Sequence, residues 1–136
     1  MSASVWNGAL DKVVLPAGAA GQVTPAFSAP NNALGVLIYI PQLTASVAVK
    51  IQALAPKDGD QDADVWQDLS TGLTNNAGAI QVSTVSALGS SSADIAYGFD
   101  AGVLGSGVFR FISTGAGSQA SAVTIRIAWR VDHDRH

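Results

Sequence analysis

The most regular pattern in the chain lies near its end. From Val123 to Val131 apolar and polar positions alternate strictly. Val123, Ile125, Ile127, Trp129 and Val131 share one side, and Thr124, Arg126, Ala128 and Arg130 share the other. Successive side chains of a β-strand point to opposite faces, so a period of two predicts a half-buried strand. The β-branched and aromatic residues agree with it. Ser46 to Leu54 repeats the pattern, with Val47, Val49, Ile51 and Ala53 on one face and Lys50 and Gln52 on the other. Leu34 to Ile40 is instead a continuous apolar run closed by Pro41, which predicts a strand covered on both faces. Weaker alternation predicts strands over 11–16, 22–28, 64–69, 80–86, 95–99 and 108–112, with Pro25 confining the second of these to an edge. Ser70 to Gly78 reads as turn material. Gly, Ser, Asn and Pro separate the segments, and no helical period of any length occurs. The fold class expected is all-β: one antiparallel β-sandwich of about eight strands with negligible helix. The long connections at 56–63 and 86–94 argue against a meander and for Greek-key or jelly-roll wiring.

Composition sharpens this picture. A chain of 136 residues suits a single core. All ten acidic residues are Asp, and only three Lys and one Met are present, so the usual builders of helix surfaces are nearly absent. Charged residues make up 12% of the chain, against about 25% in average soluble domains. The mean hydropathy is +0.29. So few charges fit either a secreted-type β-protein covered in Ser and Thr or an apolar surface buried in part by partners, since contiguous apolar surface usually marks an interface. A net charge of −3 with only seven Lys and Arg does not suit nucleic-acid binding by counterion release. With no Cys, neither a disulfide nor a thiolate metal site is possible, which fits assembly in a reducing cytosol. No apolar run reaches the roughly 18 residues of a membrane helix, and the first residues lack a basic segment followed by an apolar one, so neither a membrane span nor a signal peptide is expected.

Residues 1–32 differ from the rest. They are rich in Ala, Gly and Pro, with Asp11 and Lys12 as their only charges. They are expected to be either outer strands of the sandwich or an N-terminal arm laid on a neighbouring subunit. An arm would bury Trp6, Val13, Val14 and Leu15 against that neighbour. The sandwich core is expected over 33–132, and 133–136 as a flexible tail.

Candidate chemistry is sparse. Asp58, Asp60, Asp62 and Asp64 alternate, and oxygen ligands at that spacing suit a hard cation such as calcium. The loop departs from an EF-hand, whose sixth and twelfth positions here hold Ala63 and Leu69, so a solvated turn is the simpler reading. His133 and His136 sit in the terminal tail, where fixed catalytic geometry is not expected. No Gly-x-Ser-x-Gly and no phosphate loop is present, so no catalytic residue and no cofactor are expected. Trp6, Tyr39, Trp66, Tyr97 and Trp129 admit a sugar-stacking platform. Trp129 and Tyr39 lie in strongly apolar strands, which predicts core packing for both and leaves Trp6 and Trp66 as interface candidates. Arg110, Arg126 and Arg130 project from outward faces, where they form a strip for an acidic partner or pair with Asp residues.

The stretch from Gly35 to Asp58, with its run Val-Leu-Ile-Tyr-Ile-Pro-Gln-Leu-Thr-Ala-Ser-Val-Ala-Val-Lys-Ile-Gln-Ala, resembles small virion proteins of tailed bacteriophages. Val65 to Leu69 and Phe109-Arg110-Phe111 share the likeness, which covers roughly residues 34 to 131. It is a likeness of pattern without a diagnostic motif. It implies a non-enzymatic protein that decorates or cements a capsid, bound to the major capsid protein, often as a trimer. The location implied is the capsid surface of a virion assembled in host cytoplasm. The alternatives are a tail or fibre component and a carbohydrate-binding β-sandwich.

Overall fold

The structure is a computed structural model. It describes residues 4–57, 59, 62–74, 80–84, 87–100 and 107–132. Among the described residues twelve strands follow one another: β1 (Ser4–Leu15), β2 (Gly18–Ala19), β3 (Phe27–Ser28), β4 (Ala33–Ile40), β5 (Ala48–Leu54), β6 (Trp66–Asp68), β7 (Ser70–Thr74), β8 (Ile80–Thr84), β9 (Ile95–Asp100), β10 (Val108–Thr114), β11 (Ser118–Gln119) and β12 (Val123–Asp132). Eight of them build two four-stranded antiparallel sheets. The front sheet runs β1-β12-β4-β9 and the back sheet β3-β10-β5-β6. The remaining four form the two-stranded ribbons β2·β11 and β7·β8. The predicted all-β sandwich is the observed architecture.

The wiring is that of a jelly roll. Among the eight sheet strands the first pairs with the eighth, the second with the seventh, the third with the sixth and the fourth with the fifth. The pairing follows one ladder. Ser4 stands opposite Asp132, Leu15 opposite Val123, Gly18 opposite Gln119, Val23 opposite Ile112, Phe27 opposite Phe109, Ile40 opposite Ile95 and Val49 opposite Leu88. One partner number rises as the other falls. The chain is thus a long double-stranded ribbon rolled around its own core, and the small ribbon β2·β11 carries the ladder from front sheet to back.

The core lies between the inner faces. Val49, Ile51, Ile125 and Ile127 are fully buried, as their alternation predicts, together with Leu15, Ile38 and Phe111. Complete burial of such side chains contributes about 1.5–3 kcal/mol each. Phe27 gathers the aromatic residues, with ring centroids 6.0 Å from Phe109, 5.3 Å from Phe111 and 6.4 Å from Trp129. The buried indole of Trp129 donates from Nε1 to Asp11 Oδ2 at 3.0 Å, so its one polar atom is satisfied.

Side chains also pin the connections. Thr24 Oγ1 accepts from Phe111 N at 3.0 Å and donates to Pro25 O. Gln119 Oε1 accepts from Thr44 N at 3.0 Å, while Thr44 Oγ1 accepts from Ala120 N at 2.9 Å. Buried polar groups need such partners, and here they tie loops of the two sheets together.

Several expectations are corrected. β1 and β3 are edge strands of the two sheets, the place that the outer-strand alternative gives this part of the chain. Val13 and Leu15 face this chain's own core, because the register of β1 on β12 sets them beside Ile125 and Val123. β4 is covered on one face only. Val36, Ile38 and Ile40 point inward, and Tyr39 stands exposed on the outer side. Its apolar run misled because the outer face of the front sheet is bare among the described residues. The segment 22–28 is a bridge at Val23 followed by the two-residue β3, with Pro25 between them. Ser70–Thr74 is a strand rather than a turn, and Asn75 to Gly78 lie outside the described residues.

Candidate functional site

In an antiparallel pair, residues directly opposite each other share a face. The registers of β1, β12, β4 and β9 therefore lay out the exposed side of the front sheet in rows. Val14 lies beside Thr124. The next row is Lys12, Arg126, Tyr39 and Ala96, and the row after it is Leu10, Ala128, Leu37 and Gly98. Arg130 and Gly35 follow, with Trp6 and Asp100 flanking them in the register. Leu10 is 55% exposed, Val14 46% and Tyr39 43%. Lys12 and Arg126 are exposed as well. At one end of this face an open groove of about 440 Å³ is lined by Tyr39, Pro41, Asp94, Ala96 and Arg126. Asp94 at its rim accepts a 2.8 Å bond from Gln42 N through Oδ1.

The exposed side of the back sheet carries a connected polar network. Arg110 Nε donates to Gln52 Oε1 at 2.9 Å, and Gln52 Nε2 donates to Asp68 Oδ1 at 3.0 Å. Lys50 Nζ donates to Asp68 Oδ2 at 2.8 Å. The Arg110 guanidinium lies over the Trp66 ring, 4.3 Å from its centroid, a cation–π contact. The hydrogen bond from Lys50, with that from Gln52, holds the Asp68 carboxyl below its usual 3.8. Val23 and Val108 are exposed on this sheet, and Val65 just before β6.

The interface candidates thus fall in different places. Val14, Arg126 and Arg130 lie on the front sheet, Trp66 and Arg110 on the back, so the three arginines form no single strip. Val13 and Leu15 are core. Trp6 belongs to the backbone of β1, opposite Arg130. Of the acidic loop, Asp62 Oδ2 accepts from Gly59 N at 3.1 Å and Asp64 pairs with Lys57. Asp58 and Asp60 lie outside the described residues, as do His133 and His136. Among the described residues no group of three or more His or Asp side chains is arranged to hold a metal ion.

Sequence reasoning passed over Lys12, Leu10 and Asp11. The signal for Lys12 and Leu10 was present: in the alternation of β1 they share a side with Val14. Nothing local marks Asp11 as the partner of an indole 118 positions away.

No protein-family model matches the chain, and no curated protein matches it. Among solved structures, the crystal structure of SPBc2 prophage-derived protein YomS is similar, at 18% sequence identity and a TM-score of 0.46, over 93% of this chain and 98% of that one.

Proposed function

We propose that this chain is a non-enzymatic structural protein of a bacteriophage virion. In this reading it decorates and cements the capsid surface by binding the lattice of the major capsid protein, as a homo-oligomer with a trimer favoured. The observation that carries the reading is the exposure of large apolar side chains on both outer faces of the sandwich: Leu10, Val14 and Tyr39 on the front sheet, Val23 and Val108 on the back. Exposed apolar surface marks contact sites, and a subunit wedged between a shell and copies of itself uses two such sides. The low charge of the chain and the likeness of residues 34 to 131 to small phage virion proteins support the same reading. A jelly roll supplies rigid faces for such a role, because its side chains are set by the register of paired strands.

The test is sedimentation of the purified chain with empty shells assembled from the major capsid protein of the virus that encodes it. Saturable pelleting with the shells, together with a raised melting temperature of the shell, is expected. A chain that stays in the supernatant at every concentration overturns the proposal.

A further inference from the structure

We infer that the outer face of the front sheet, centred on Lys12, Arg126 and Tyr39, seats an acidic protein surface that carries apolar side chains between its carboxylates. The identity of that partner as the shell protein rests on the function proposed above; its chemistry rests on the sheet face itself.

Lys12 and Arg126 stand directly opposite each other on neighbouring strands. Like charges in that position repel and destabilise the pair. Neither side chain has an ion pair or a hydrogen bond among the described residues. The other described cations are engaged. Lys50 bonds Asp68, Lys57 pairs with Asp64, Arg110 bonds Gln52 and lies over Trp66, and Arg130 has an interaction of its own. The two described cations without a partner are therefore adjacent, at a place where adjacency costs stability in the isolated chain. A carboxylate set between them turns the repulsion into two attractions.

The surroundings specify the rest of the occupant. Leu10, Val14 and Tyr39 flank the pair and are exposed, so the occupant must cover apolar surface as well as charge. Asp94 at the groove rim is held by Gln42 N, and Asp100 stands two rows away in the register. Nucleic acid fits poorly, since its binding draws on many phosphate contacts and this face offers two unpaired cations beside three exposed apolar side chains. A second copy docked by two-fold symmetry fits poorly too. Such an interface presents the same patch from both sides and sets Lys12 and Arg126 against their own copies.

The experiment compares wild type with Lys12→Gln/Arg126→Gln and Lys12→Glu/Arg126→Glu, with Lys57→Glu as a charge control beyond the end of β5. The Gln pair removes the repulsion without adding charge, so its melting temperature should equal or exceed that of wild type, and it serves if the Glu pair misfolds. Binding is measured to a random glutamate–tyrosine copolymer, to single-stranded oligothymidylate and to the empty shells. Wild type should bind the copolymer in a salt-dependent way. Both double variants should bind it and the shells about tenfold more weakly or worse, and Lys57→Glu should stay near wild type. Shell binding unchanged in the double variants overturns the inference while leaving the proposed function standing. Copolymer binding that depends on Lys12 and Arg126, with no shell binding by wild type, supports the inferred chemistry and removes the function instead. Oligothymidylate binding, or a concentration-dependent dimer, that the double variants lose overturns the inference in favour of nucleic acid or a second copy.

Discussion

Trp129 shows how one side chain ties the sequence's two ends together. Its indole is buried among Phe27 and the inner aliphatics, and its Nε1 reaches Asp11 on β1. Asp11→Ala leaves that donor without its partner, and loss of a buried partner costs about 1–3 kcal/mol. Denaturant unfolding should show a loss in that range; a change within experimental scatter would show that water replaces the carboxylate. Asp68 makes a second residue-level prediction. Its folded pKa lies below the usual 3.8, chiefly through Lys50. A carboxyl depressed on folding stabilises above its unfolded value, and that contribution is lost as pH falls through the folded value. Asp68→Asn should therefore be less stable than wild type at neutral pH, by a modest amount because the pair is partly exposed, and should converge with it in acid. A gap that persists well below 3.8 would assign the effect to packing. Core positions such as Ile125 and Ile127 were legible because alternation alone sorts them inward. Tyr39 was not, because a run of apolar residues does not say which side lacks a cover.

At the scale of elements, the strands could be read from the chain but their partners could not. β12 and β5 follow from period two, whereas the pairing of β1 with β12 joins residues more than a hundred positions apart, which local pattern does not encode. The two-residue strands β2 and β11 escaped notice because they are too short for any period to show, and β3 lies inside the longer strand expected over 22–28. Their places are set by turns instead. The turn after β10 packs onto the turn before β5, where Ser46 has φ 64° and its carbonyl accepts from Gly117 N at 3.1 Å. Gly115 has φ 105°, and a Cβ there would collide with Ser46 O. Gly21 has a similar φ of 104° but open space around it. Gly115→Ala should thus cost clearly more than Gly21→Ala, which bears the backbone strain alone, about 1 kcal/mol or somewhat above. Equal melting temperatures for the two variants would show that the close approach of the two turns is not needed.

For the whole molecule, the rolled ribbon buries an apolar core and leaves apolar side chains on both outer faces. The low charge of the sequence announced an apolar surface, and the structure distributes it over two sheets. Of the two readings of the N-terminal residues, an arm on a neighbour or outer strands of the sandwich, β1 takes the place of an edge strand of the front sheet. Lys12 and Arg126 repel each other on one of those faces, a cost that natural proteins carry where function needs it. Taken together, these features suit the proposed role of a rigid subunit between larger surfaces. For the proposed role, the most direct measurement is the number of copies per purified virion of the phage proposed to encode the chain, by quantitative mass spectrometry against the major capsid protein. The proposed role predicts a fixed ratio set by the capsid lattice, with loss of the protein leaving shells that open at lower temperature. A few copies per particle would place it in a tail or fibre, and its absence from virions would contradict the account.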